Sequence, residues 1–298
     1  MDIKSKKLLY VLNAAWVFVG AFEYILSKPV LEVIPTLELL WFKYIIAGAI
    51  IICVKFVTKQ TWSFRLKDIP IFIMLALFGE IFYFFSGFTA MSYIPIALVT
   101  VVISLTPVLS VVFDRFYYRR KVRVPTILGI CASLFGISMV AGLDTELLAG
   151  GRIVGYILAF LPAVFTNIYN IIVLRNTPRY SPFDIALYLI LTTTIILTPY
   201  GLSHLPPPQD INAGMILTAV FLAVFPAVLG MLVYINSLKV LGSTTTVLYL
   251  NFVPVVSCIF AWLLLGETIT SLQMIGGAIT ITGCAAVIWF KDRTELAG

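Results

Sequence analysis

Charge is scarce in this 298-residue sequence: Asp, Glu, Lys and Arg make up 11% of it, against about a quarter in soluble domains. Histidine is scarcer still, with His204 alone, beside a Leu-Pro-Pro-Pro run that reads as a solvated loop. One loop histidine excludes an HExxH metal site and any histidine-based acid–base pair. No glycine-rich phosphate loop is present either, so no cofactor and no nucleotide-driven step is expected. The four cysteines, Cys53, Cys131, Cys258 and Cys284, lie inside apolar stretches without the close pairing of a zinc site or a secreted disulfide framework. They read as small packing residues.

Apolar residues fill the space that charge leaves. They make up 61% of the chain, and mean hydropathy is +1.05. One or two soluble domains could not hide that much apolar surface, so the bilayer is the expected solvent. The net charge of +6 does not imply a nucleic-acid partner, because the basic residues fall in short runs between apolar stretches.

Windows long enough for about 30 Å of hydrocarbon fall at 8–27, 36–57, 69–90, 96–113, 125–142, 153–173, 183–203, 213–237, 244–265 and 271–290. The fold class expected is therefore an all-α polytopic membrane protein with ten spans. With the N-terminus inside, seventeen basic residues fall in cytoplasmic segments, among them Lys55, Arg65, Arg119, Arg120, Arg179 and Lys291. Lys28 and Arg152 fall outside, and Lys43 lies within a span. That bias predicts both termini in the cytoplasm. The basic opening followed by an apolar run could also start a cleavable signal peptide, but the repeat described next needs this segment as a permanent helix.

Shifted by 147 residues, the two halves align without a gap. Pro35 falls on Pro182, Pro107 on Pro254, Ser110 on Ser257, Gly129 on Gly276 and Gly136 on Gly283. Prolines and glycines coinciding at one offset carry weight, since each fixes a backbone feature. The halves, 1–147 and 148–298, hold five spans each, an odd number, so they enter the membrane in opposite senses. Such an inverted repeat predicts a pseudo-two-fold axis in the membrane plane and a central cavity that opens to alternate sides, the device of a secondary transporter.

Residues 250–288 resemble the carboxy-terminal signature of EamA-type domains in the drug/metabolite transporter superfamily, through Pro254, Leu265-Gly266-Glu267, Gly276 and Gly283. The first half resembles the same domain more loosely, through Trp16, Ser27-Lys28, Pro35, Pro107, Gly129 and Gly136. Two departures stand out. Lys43 occupies a place where arginine is usual, and Tyr118-Arg119-Arg120 replaces the Leu-Gly-Glu. The resemblance implies ten helices around a central cavity, usually for export, in a bacterial plasma (inner) membrane. It leaves the substrate open among amino acids, amines, sugars and nucleotide conjugates.

An ionisable residue near the bilayer centre costs on the order of 3 kcal/mol and asks for a reason. Glu23, Lys43 and Glu80 are such residues, and their repeat mates Asn170, Ile190 and Ala227 are uncharged. The shared fold therefore does not require the charges. Asn13, Trp16, Gly20, Glu23 and Ser27 form one helical stripe, and Gly79, Glu80, Tyr83 and Gly87 another. Glu80 lies about 16 Å into its span at 1.5 Å per residue. Glu23 with Lys43 reads either as a structural ion pair or as part of a site, and Glu80 as a bonded acid, a substrate anchor or a proton carrier. The substrate-binding set expected is Trp16, Glu23, Lys43, Glu80, Tyr83, Asn167, Tyr169, Asn170, Tyr249 and Asn251. Phe84 would add an apolar wall, and Pro107 and Pro254 would act as hinges or static kinks. The glycine faces of the fifth and tenth spans are expected to bring helices close rather than touch substrate.

The reading that follows is a secondary transporter of a small polar or zwitterionic metabolite, an amino acid or amine. Its expected partners are that substrate and the lipid bilayer, with proton coupling open to the carboxyls, in a monomer or weak homodimer. An organophosphate or nucleotide-sugar antiporter would want several intramembrane cations. An intramembrane lipid-modifying enzyme would want a buried His, Cys or Ser dyad, and a passive channel would show no trans-acceleration. A cysteine placed at His204 should react with an impermeant maleimide from outside, and one at Arg120 only from inside. Labelling of both from one side would remove the inverted repeat.

Overall fold

A run of apolar residues long enough to cross hydrocarbon must satisfy its own backbone hydrogen bonds, and the helix does so within one segment. The computed structural model describes residues 5–59, 61–94, 99, 102–117, 124–141, 153–205, 207, 212–265 and 270–295, and among them there is helix and no strand. We number the helices α1 (Lys6–Leu31), α2 (Thr36–Val57), α3 (Leu66–Ala90), α4 (Thr106–Tyr117), α5 (Val124–Ala141), α6 (Ile153–Asn176), α7 (Pro182–Ser203), α8 (Ala213–Leu241), α9 (243–265) and α10 (Ser271–Glu295). The first three and α6 to α8 are each long and apolar enough to cross a membrane. Shorter apolar stretches lie at Val124–Met139, Ser243–Val256 and Met274–Val287. Part of the fourth expected span, the basic connection 118–123, the 142–152 connection and the Gly266-Glu267 signature pair fall outside the described residues.

Helix starts follow ordinary capping chemistry. Ser5, Ser181 and Asn212 each accept a backbone N–H of the first turn through their side chains. Pro182 takes the first position of α7, where a missing N–H costs nothing. Gly242, at φ 80°, makes the left-handed turn that separates α8 from α9. Large apolar side chains such as Phe18, Ile45, Phe135, Ile195, Leu217 and Met274 point outward, as a lipid-facing surface requires. Cys53 and Cys131 are also exposed, so of the described thiols only Cys284 is packed inside the protein.

The chain forms two compact units, each drawing helices from both sequence halves: Met1–Phe88 with Ile168–Val240, and Thr89–Asn167 with Leu241–Gly298. In the first unit α2 packs on α7, its repeat mate. In the second, α5 packs on α10, again its mate, through the glycine faces. A methyl at Gly129 would meet the Gly283 carbonyl at 2.8 Å, and one at Gly136 would overlap the Gly276 carbonyl. The contacts run crosswise, 129 to 283 and 136 to 276, as in a self-complementary interface about a two-fold axis. At the crossing, Thr280 Oγ1 donates to the carbonyl of Ser133, its own mate 147 residues away.

The paired prolines sit differently from simple mid-helix kinks. Pro254 is the second residue of the Val253–Leu265 segment of α9, after a tight turn at Tyr249–Phe252 and the short helix Ser243–Leu248. Pro107 is the second residue of α4, after a turn at 104–105. Each proline restarts a helix after an interruption, in the turn where its missing N–H is tolerated. Gly136→Val should lower stability by about 1–3 kcal/mol, since backbone on the facing helix cannot yield. Thermal unfolding in detergent measures this, and an unchanged midpoint would contradict the close crossing.

Candidate functional site

The intramembrane charges gather in the first unit, around two consecutive residues of α2. Lys43 is 2% exposed and donates to Glu23 Oε1 on α1 at 2.9 Å. Its Nζ also lies 3.8 Å from the centroid of the Phe84 ring on α3, a cation–π contact. Tyr44, fully buried, donates its phenolic hydrogen to Glu80 Oε2. Successive helical residues point about 100° apart, so α2 serves α1 with one side chain and α3 with the next.

Glu80 stands in a π-helical turn of α3, Leu77–Ile81, and a second such turn, Ala223–Gly230, interrupts α8 at the repeat-equivalent place. Single π-turns within α-helices often mark functional positions. Each turn seats an aromatic ring on a glycine. A methyl at Gly79 would overlap the Tyr169 ring of α6, and one at Gly230 would overlap the Trp16 indole nitrogen of α1. Trp16 lies 5.7 Å from Tyr234 and Tyr169 lies 6.2 Å from it, centroid to centroid. Tyr234 in turn donates to Asn170 Oδ1 at 3.0 Å. The buried Trp16 Nε1 has no acceptor among the described residues.

The expected site residues thus divide. Trp16, Glu23, Lys43, Glu80, Tyr83, Tyr169 and Asn170 belong to the first unit, and Asn167, Tyr249 and Asn251 to the second. Asn167 Nδ2 donates to Ala163 O at 2.8 Å and to Thr106 O at 3.3 Å, bracing α6 against the start of α4. Asn251 Nδ2 donates to Ser133 Oγ at 3.0 Å, within the turn that precedes Pro254. The sequence reading missed Tyr44. Its helix is apolar around most of its circumference, so no stripe marks it, and adjacency to Lys43 is the one usable signal.

Two further ion pairs were also missed, one of them buried on both sides. Lys55, counted above among the basic residues of the cytoplasmic side, stands in the last turn of α2, is 1% exposed and pairs with Asp184 at 2.8 Å. Asp184 is also bonded by Ser181, the cap of α7. Arg179 donates to Asp68 Oδ1 at 2.8 Å, and Tyr180 donates to Asp68 Oδ2. Burial, and then the bond to Asp68, push the Tyr180 phenol up to about 12, so it stays a donor at any physiological pH. His204 is exposed at the end of α7, stacked on Tyr200 at 4.2 Å. No group of three potential metal ligands occurs among the described residues.

Comparison with known proteins agrees with this geometry. The model of the EamA-like transporter family matches residues 7–142 and again 153–289. An "Uncharacterized transporter YdfC" of Bacillus subtilis is 27% identical over 73% of this chain and 71% of its own. An "Uncharacterized transporter" of Archaeoglobus fulgidus is 22% identical over 95% and 96%. A "Probable terminal-alkyne amino-acid exporter" of Streptantibioticus cattleyicolor is 23% identical over 77% and 75%. A solved crystal structure superposes with a TM-score of 0.79 over 98% of this chain and 100% of its own, at 19% identity, which shows the fold.

Breaking one side of a buried pair strands a charge, so Lys43→Met should cost about 3–5 kcal/mol. Adding Glu23→Gln should recover most of that loss. Thermal unfolding of the single and double variants in detergent tests the coupling, and strictly additive losses would refute it.

Proposed function

The chain belongs to the EamA-like transporter family, and on that premise we propose that it is a secondary carrier that exports a small metabolite bearing an amino group, an amino acid or amine. The observation that carries this reading is Glu80. It is a carboxyl 8% exposed within an apolar span, set in a π-turn, held by the Tyr44 phenol and flanked by the Tyr169 ring. A charge that the repeat does not share is retained for a task, and a carboxyl among aromatic faces suits an ammonium. Glu80 would anchor the substrate amine or carry a proton in exchange for it.

Alternating access is supported by the crosswise contact of α5 with α10 and by π-turns at equivalent places in α3 and α8, since two equivalent halves can exchange conformations. Under this reading the interruptions before Pro107 and Pro254 are the hinges. The basic residues support cytoplasmic termini in a bacterial plasma membrane. The amino-acid exporter named among the relatives favours an amino compound over an organophosphate, and so does the engagement of Lys43 by Glu23.

Glu80→Gln keeps shape and hydrogen bonding but cannot ionise. It should insert and unfold like the parent protein, with transport in liposomes reduced about tenfold or more and its pH dependence flattened. Parental rate and pH profile in that variant would overturn the role. Pro107→Ala and Pro254→Ala should lower turnover more than apparent affinity. Unchanged turnover in both would make the prolines static.

A further inference from the structure

Resting on that transport reading, we infer that the Glu80 site selects a cationic amine and discriminates against the free zwitterionic amino acid. The inference comes from counting which charges are already spent. A zwitterion needs a cation for its carboxylate, and Lys43 is the basic group that sequence reasoning offers. In the structure its ammonium is 2% exposed, bonded to Glu23 at 2.9 Å and covered by Phe84 at 3.8 Å. Glu23 and Lys43 cancel. Glu80 remains, held by a neutral phenol.

A ligand ammonium at Glu80 would favour the ionised carboxyl and pair with it. A ligand carboxylate at the same place would face the Glu80 carboxyl while Lys43, the buried cation nearest in the chain to Tyr44, is already bonded to Glu23, and like charges in a poorly screened site oppose binding. Beyond the engaged Lys43–Glu23 pair, the first unit holds a run of aromatic rings: Tyr169 against Gly79, Tyr234 next to Tyr169, and Trp16 next to Tyr234. Aromatic faces favour an organic cation. Two buried polar groups of α1, Trp16 Nε1 and Ser27 Oγ, have no hydrogen-bond partner among the described residues, and both are neutral donors suited to an uncharged oxygen. The ligand class is therefore a small amine with an apolar body and, at most, an amide, ester or hydroxyl oxygen. An amino-acid amide carries an ammonium and a neutral oxygen, whereas the free acid adds a carboxylate that Lys43, bonded to Glu23, is not placed to pair.

The test is isothermal titration calorimetry on the purified full-length protein in detergent with two matched sets. One set is leucine, leucinamide and 3-methylbutylamine, and the other is phenylalanine, phenylalaninamide and phenethylamine. Amides and amines should bind about tenfold or more tightly than the free acids. Free acids binding equally or better would overturn the inference while leaving the transport reading intact. Failure of all six to bind would overturn the amine reading of the site and this inference with it. A second arm uses Glu23→Gln, which releases Lys43 from its partner. The preference should then move about tenfold toward the free acids, and an unchanged preference in a folded variant would overturn the inference independently.

Discussion

Every charge placed in hydrocarbon must find an opposite charge or a hydrogen-bonding partner, and the first unit is organised around that demand. Lys43 and Tyr44, adjacent on α2, discharge it in two directions: the ammonium to Glu23 on α1 and the phenol to Glu80 on α3. Both contacts cross between helices, so the same residues that neutralise the charges also fix how three helices pack. Removing a charge and preserving the packing are therefore separate operations only where a neutral isostere can keep the bond.

The backbone of this region is nearly symmetric while its chemistry is not. The π-turns of α3 and α8 fall at equivalent places, but the first presents Gly79 and Glu80 and the second Pro226 and Ala227. A π-turn widens the helix locally and turns its side chains out of register, which suits a close ring contact. Tyr169 uses that space at Gly79 and Trp16 uses it at Gly230. Only the first repeat adds a carboxyl to the arrangement.

Charge is also placed unevenly at the ends of the first unit. Lys55 with Asp184, and Asp68 with Arg179 and Tyr180, tie α2 and the start of α3 to the turn before α7 and to α7 itself. The repeat mates of Lys55 and Asp184 are Leu202 and Leu37, which can form no such pair. One end of α2 and α7 is therefore joined by a buried ion pair that the other end lacks. A pair between residues 129 positions apart leaves no trace in helical periodicity, so it is invisible before the fold is known.

What the sequence determined by itself was anything governed by local composition and spacing. Apolar length set the spans, because hydrocarbon thickness is a fixed ruler: α2 coincides with the expected 36–57. Glycine and proline at a constant offset exposed the repeat, and the glycine faces of α5 and α10 meet as their size allows. Lone charges in apolar windows pointed to Glu23, Lys43 and Glu80. Tertiary structure alone decided how those charges pair. Lys43 is committed to Glu23, the unmarked Tyr44 holds Glu80, and Lys55 of α2 pairs with Asp184 of α7. The physical reason is the same in each case. A membrane penalises an unpaired charge or an open backbone bond wherever it lies, but which partner relieves it depends on helices brought together from distant parts of the chain.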